Sequence, residues 1–475
     1  MASMVGVDPE EGIAAPGVNE ELAGPAHVEL NVLRPVARSE RIGSMDVLRG
    51  FSLMGILIMN ITDFAFGSAN YVYPLSMVNP VFSGPHWKIN TAVWFLRWIL
   101  AEGKMRALFS LLFGAGVILL TERALARGAG VRAADIFTRR NMWLVLFGML
   151  HGYLIWYGDI LYYYGLAALL FLFPFRNVRV KPLMWVAGIL LFANSAVLFG
   201  LQYGRAYSAR AAAAKANAKL AQHQTLTDDE VGALRQWSSA QDHWRVPAKK
   251  MYENIAGMQK GYWKTQQHMA GGVLGGELNG AYFGFGDWVG MMLLGMALYK
   301  NGFLTGRLSM KTYEWVAVIG LAVGWGVPGM GAWRSWAGHF DMFQTQLWMQ
   351  APYDLGRIAG ALGIAALLLI LLKAGSMKWL MQRIASVGQM ALSNYLLTSI
   401  AMMTIYVWGP WHWYGYVEYY KVYYAVAGMW IFNMAFSSIW LRYFEFGPVE
   451  WAWRSLTYWK RQPMRIRAST NESGC

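Results

Sequence analysis

The sequence predicts an all-α, polytopic membrane helix bundle of about ten transmembrane helices with cytoplasmic N- and C-termini, and three observations carry that prediction. Apolar residues make up 56% of the 475-residue chain and charged ones 14%, whereas about a quarter of a soluble domain is charged. The apolar residues gather in runs long enough to cross a hydrocarbon layer about 30 Å thick. The Lys and Arg residues collect in alternate connections between those runs, which is the positive-inside pattern. A lipid bilayer is therefore the partner that composition itself implies. The net charge of +14 would suggest nucleic acid in a soluble chain, but no basic stripe interleaved with aromatics occurs in a soluble segment, and that class is set aside. The single cysteine, Cys475, provides no disulfide framework.

Residues 1–40 are acidic, Pro-bearing and weakly apolar, without a charged-then-apolar run ending in a cleavage site, and read as a disordered cytoplasmic tail. Spans at 46–63, 105–121, 141–157, 160–175 and 183–202 form an N-terminal membrane unit over 41–202. Spans at 281–299, 314–331, 357–373, 384–408 and 421–441 form a C-terminal unit over 281–445, followed by a basic cytoplasmic tail over 446–475. Segment 87–101 (WKINTAVWFLRWILA) contains Lys88 and Arg97, and counting it as a span would put the Arg139 and Arg140 cluster outside. It is expected to lie on the outer interface as an amphipathic helix anchored by Trp87, Trp94 and Trp98. Segment 203–280 is the longest polar stretch and falls outside. Its Ala/Lys-rich start is strongly helix-forming, and Thr227 with Glu230 has the spacing of a capping box that opens a second helix. It reads as a helical cap or lid, a mobile insertion being the plainer alternative.

No HExxH, CxxC, GxSxG or Walker loop is present, and no metal site is expected. The Gly-rich run 271–290 leads into a span from the outer side, so its Gly286 and Gly290, with Gly295 beyond, are expected to let helices approach closely. What stands out is His151, about 15 Å into its span when counted from Asn141, because an ionisable group at the midplane is costly and marks a functional site by default. Asp159 is expected to emerge at the far surface. The remaining polar residues sort by depth. Asn60, Asp63, Asp159, Asp287 and the entry Glu102, Lys104 and Arg106 crowd the outer half, while Arg49, Arg123, Arg139 and Arg140 crowd the inner face. Asp46 and Arg49, three apart on one helix face, are close enough to pair. Plainer readings stand beside each: lipid-headgroup anchors for the arginines, a bonded neutral histidine for His151, and an ion-pair partner for Asp287.

A histidine between an inner cationic mouth and an outer polar vestibule suits chemistry across a membrane. An acyl donor such as acetyl-CoA or another acyl-CoA would bind inside with its phosphates on arginines. Neutral imidazole would take the proton of an attacking hydroxyl or amine that arrives from outside, or would itself be transiently acylated.

Several stretches together resemble the YeiB-like family of bacterial inner-membrane proteins (domain of unknown function 418): RIGSMDVLRGFSLMGILIMNI from Arg41, EGKMRALFSLLFGAG from Glu102, HGYLIWYGDILYYYG from His151, MALSNYLLTS from Met390 and FGPVEWAWRSLTYWK from Phe446. In this resemblance Asp46, Arg49 and Gly50 belong to the opening motif and His151, Gly158 and Asp159 to the central one. Asn394 and Glu450 fall in the last two stretches. The family's first half is similar to transmembrane acyltransferases that move acetyl groups from cytosolic acetyl-CoA to sugars, which implies acyl transfer to an extracytoplasmic glycan or lipid-linked glycan. The insertion at 203–280 departs from the family's pattern. Two other classes compete: a secondary transporter with His151, Asp159 and Asp287 as a proton relay, disfavoured by the lack of internal symmetry, and a non-catalytic assembly subunit.

Overall fold

A computed structural model describes residues 43–126 and 132–466. The tail at 1–40, Arg127 and Cys475 lie outside the described residues. Helices α1 (Gly43–Phe66), α2 (Trp87–Leu100), α3 (Lys104–Ala126), α4 (Arg132–Leu154), α5 (Leu161–Phe175) and α6 (Val180–Ala221) make up the first part. Helices α7 (Asp228–Trp244), α8 (Ala248–Met258) and α9 (Tyr262–Phe283) follow, and then α10 (Phe285–Lys300), α11 (Met310–Ala337) and α12 (Met342–Lys373). The chain ends in α13 (Lys378–Gln389), α14 (Ala391–Trp408), α15 (Val422–Tyr443) and α16 (Pro448–Tyr458).

Among the described residues, seven helical segments are long and apolar enough to cross a membrane: α1, the α2–α3 pair, α6, α11, α12, α14 and α15. Every expected span falls on a helix. The three outside that set are α4, whose first half carries Arg132, Asp135, Arg139 and Arg140, and the shorter α5 and α10. The run 384–408 is broken at Met390 into α13 and α14.

Small residues set the closest crossings, as expected where no hydrophobic force drives helices together in lipid. A Cβ on Gly50 of α1 would stand 2.0 Å from the Ile384 carbonyl oxygen of α13, and one on Gly388 would stand 2.0 Å from that of Asp46. Gly114 of α3 and Gly295 of α10 meet in the same way, each against the other helix's backbone at 1.9–2.0 Å. Gly290 packs against Leu191, and Gly286 against Asn194, on α6.

The expected interfacial helix forms as α2, but its anchors differ. Trp87 is exposed, whereas Trp94 and Trp98 are fully buried against Phe340, Phe82 and Tyr353. Arg97 turns inward to an ion pair with Glu102 at 2.7 Å. Trp94, Arg97 and Trp98 share one helix face, and pairing Arg97 lets that face pack against protein.

The insertion is helical apart from short connections at 222–227, 245–247 and 259–261. At about 1.5 Å per residue, the 42-residue α6 extends about 63 Å, leaving the apolar region with Ala209, Ala213 and Ala216 buried under α7. Thr227 and Glu230 form the capping box, and the hydrogen bond from Lys219 holds the Glu230 carboxyl below its ordinary value. Trp244 and Arg245 donate to the carbonyls of Phe340 and His339 at 3.0 and 2.6 Å. Tyr262 and Gln266 donate to Leu154 at 2.7 and 2.8 Å. The insertion is thus tied to the bundle, over the end of α4.

Candidate functional site

The site begins where α4 stops. Its last residue is Leu154, three beyond His151, and the backbone N–H groups of Ile155 and Trp156 both close onto the His151 carbonyl at 2.9 Å. The chain then reverses through Tyr157 and Gly158. A Cβ on Gly158 would meet the Trp156 ring at 2.3 Å, and one on Gly148 would meet Tyr162 N at 2.2 Å and the Asp159 carboxylate at 2.7 Å. These two glycines let the returning chain lie against α4.

That return brings Asp159 Oδ1 to 2.9 Å from His151 Nδ1, while Oδ2 accepts from the Tyr162 backbone N–H at 2.7 Å. The expectation that Asp159 emerges at the surface is corrected: its side chain is 6% exposed and that of His151 is 0% exposed. A helix continued to residue 159 would separate the two by about 12 Å, and it is the early stop that joins them. With a carboxylate on Nδ1, the neutral ring carries its proton there and keeps its basic lone pair on Nε2. Nε2 is buried with no hydrogen-bond partner among the described residues.

A cavity of about 240 Å³ approaches this pair from the other end of the helices. Asp46, Arg49, Arg123, Arg140 and Arg454 line one end, and Ile160, Tyr164 and Tyr395 the other. Along α3 its wall runs from Phe109 to Arg123, a length of about 21 Å. Between the ends the walls are mainly Leu, Phe, Val and Ile from α1, α3, α4 and α5. The Tyr395 ring lines the cavity and stands 4.9 Å from the ring of His151, which does not line it.

Three of the four expected inner arginines line this mouth. Arg49 pairs with Asp46 at 3.1 Å, and Arg140 lies 3.7 Å over the ring of Trp453. Arg139 sits off the cavity, with Nε donating to the Asp135 carbonyl at 3.3 Å. Arg454 is the residue that sequence reasoning missed. It stood among the charges of the C-terminal tail, but α16 folds back on α4, where Trp453 donates to the Arg140 carbonyl at 2.8 Å. A Trp at 453 beside an Arg was the available signal.

The outer residues do not form one vestibule. Asp287 accepts from Arg106 at 2.8 Å and from Arg357, which also holds Asp354 at 2.6 Å. Asp287 is thus an ion-pair partner. Glu102 binds Arg97, and Lys104 donates to the Trp98 and Glu102 carbonyls at 3.4 and 3.3 Å. Asp63 accepts from Tyr157 at 2.6 Å, with half-buried Asn60 one turn before it. Glu450 caps α14, accepting from the backbone of Leu392 and Ser393 at 2.6 and 3.1 Å and from the Ser393 hydroxyl. Asn394 ties α13 to α15 through the Val387 carbonyl and Ser437 at 3.2 and 2.8 Å. Among the described residues no three His, Cys, Asp or Glu side chains gather as a metal site.

The family described as "Protein of unknown function (DUF418)" matches residues 298–460. The chain is 30% identical to "Uncharacterized protein YeiB" of Escherichia coli (strain K12), over 88% of this chain and 96% of that protein. It is 31% identical to "Uncharacterized protein YxaH" of Bacillus subtilis (strain 168), over 92% and 98%. No solved structure matches.

Proposed function

From the premise that the chain belongs to the YeiB-like DUF418 family, we propose that it is a membrane-embedded acyltransferase of the bacterial inner membrane. In this reading ten spans and cytoplasmic termini put the arginine mouth inside, and an acyl group passes from cytosolic acetyl-CoA or another acyl-CoA to an extracytoplasmic glycan or lipid-linked acceptor. The observation that carries the proposal is the buried His151–Asp159 pair with Nε2 unpartnered, set against the Tyr395 ring, which lines a cavity whose other end is lined by arginines. Along α4, Arg140 and His151 are about 16 Å apart, on the order of the extended pantetheine arm of coenzyme A. Phosphates on guanidinium groups would leave the thioester near the imidazole.

Asp159 would fix the tautomer and steady the imidazolium, and Nε2 would take the acceptor's proton. Burial keeps water from competing with the acceptor. The transporter reading needs Asp287 as a third relay member, yet Asp287 is neutralised by Arg106 and Arg357 rather than joined to His151. The test is His151→Gln, which preserves polarity and approximate volume. The variant should insert and still be stabilised by CoA, while thioester turnover falls by roughly 10²–10⁴-fold. Full acyl-transfer activity in His151→Gln would rule out the base.

A further inference from the structure

The phenol of Tyr395 has no assigned part in the reaction, yet it touches both the cavity and the imidazole. Its ring lines the deep end of the arginine-mouthed cavity and stands 4.9 Å from the His151 ring. The residue is 7% exposed; its hydroxyl oxygen faces the Ile160 backbone N–H, and its O–H donates to no acceptor among the described residues. Glu450 fixes the start of α14 one turn before it, and Asn394 beside it is bonded to Val387 and Ser437. Tyr395 is therefore a buried donor on a rigid helix, in contact with both the cavity and the base. Tyr164, the other phenol at that end, is bonded to Ser110.

The geometry points to Tyr395 as a catalytic residue that donates its O–H to the thioester carbonyl oxygen and to the oxyanion formed from it. The assignment rests on the acyltransferase reading and adds the electrophilic half of the site. The acceptor's oxygen attacks the carbonyl carbon, and its proton passes to His151 Nε2. The carbonyl π electrons move onto oxygen, where the Tyr395 hydroxyl stabilises them. Collapse restores the carbonyl and breaks the C–S bond, and the departing CoA thiolate takes the proton from imidazolium. An ester and CoA-SH leave, and both side chains are returned to their starting states. A preorganised donor in a water-excluded site is worth roughly 10²–10³-fold in turnover.

Tyr395→Phe removes the O–H and keeps the ring. Purified full-length protein in liposomes, given acetyl-CoA with glycerol as a simple polyol acceptor, reports through free thiol released and acetylglycerol formed. Thermal shift with CoA reports donor binding. The proposal expects turnover lowered roughly 10²–10³-fold, donor KM and CoA-dependent stabilisation within about twofold of the parent, and an unchanged pH dependence of the His151 limb. Turnover within threefold of the parent would overturn it, as would a loss of turnover matched by weaker CoA binding or lower melting temperature, which would mean that the phenol only packs. Tyr395→Leu supplies the packing control, since it should lose stability as well as turnover. If the parent transfers no acetyl group to any acceptor, the acyltransferase reading falls and takes this assignment with it. A failure of Tyr395→Phe alone leaves that reading standing.

Discussion

Asp159→Asn tests the His151 tautomer with almost no change of shape. In the parent both carboxylate oxygens are used, one by His151 Nδ1 at 2.9 Å and one by the Tyr162 N–H at 2.7 Å. An amide has one acceptor and one donor end, so it cannot serve both N–H groups. With its oxygen toward Tyr162 the helix start is kept, since Asn caps about as well as Asp. Its NH₂ then faces Nδ1, which must give up its proton and leave Nε2 protonated and unable to act as a base. With its oxygen toward His151 the tautomer survives, but a backbone N–H and an amide N–H oppose each other in a site where the His151 side chain is fully enclosed. Either way a charge-assisted bond is lost, which costs about 1.5–3 kcal/mol of stability. Turnover is expected to fall roughly 10²–10⁴-fold, because a misprotonated imidazole removes the base altogether. Donor binding should not change, as Arg140 lies about 16 Å away along α4. The assay is thiol release per folded molecule, with CoA-dependent thermal stabilisation measured in parallel. That stabilisation follows RT ln(1 + [L]/Kd), about 2.7 kcal/mol at a hundredfold excess over Kd. Parental turnover in the Asp159→Asn protein would refute the tautomer argument. Equal losses of turnover and CoA binding would refute it too, since only general misfolding explains both.

Three further predictions concern the mouth, the helix crossing and the topology. Replacing Arg49, Arg140 or Arg454 by Gln should weaken CoA binding by one lost charge-assisted contact each, about 1.5–3 kcal/mol, whereas Arg139→Gln, off the cavity, should bind as the parent does; equal effects from all four would return them to headgroup anchoring. Gly50→Leu must push α1 from α13, because even a Cβ stands 2.0 Å from the Ile384 carbonyl oxygen; a loss of about 1–3 kcal/mol or failure to accumulate is expected, and normal melting would show that the helices cross elsewhere. A reporter active only in the cytoplasm should work when fused after Arg140, Lys181, Lys311 or Lys378 and fail within 210–260; a cytoplasmic signal from the insertion would overturn the ten-span count.

The sequence by itself determined the features that depend on neighbours along the chain. Apolar runs placed a helix at every expected span, since a backbone in lipid must satisfy its own hydrogen bonds. The Thr227–Glu230 box and the Asp46–Arg49 pair form because three residues of helix bring those side chains together. Face direction was not legible. Lipid and protein core are equally apolar, so α6 exposes Trp185 and Phe192 while burying Leu183 and Leu191 with no contrast in composition. For the same reason Trp94 and Trp98 looked like interface anchors. Only the tertiary structure decided the site. It stopped α4 at Leu154 and so converted a separation of about 12 Å into the His151–Asp159 bond. It supplied Asp287 with Arg106 and Arg357, which are 181 and 70 residues away, folded α16 back to bring Arg454 to the mouth, and set Tyr395 beside the imidazole. The His151–Asp159 and Asp287–arginine contacts join polar groups on different elements, and their cause is the cost of leaving a charge or hydrogen-bonding group unpaired in a low-dielectric interior, which acts through space and leaves no mark in local spacing.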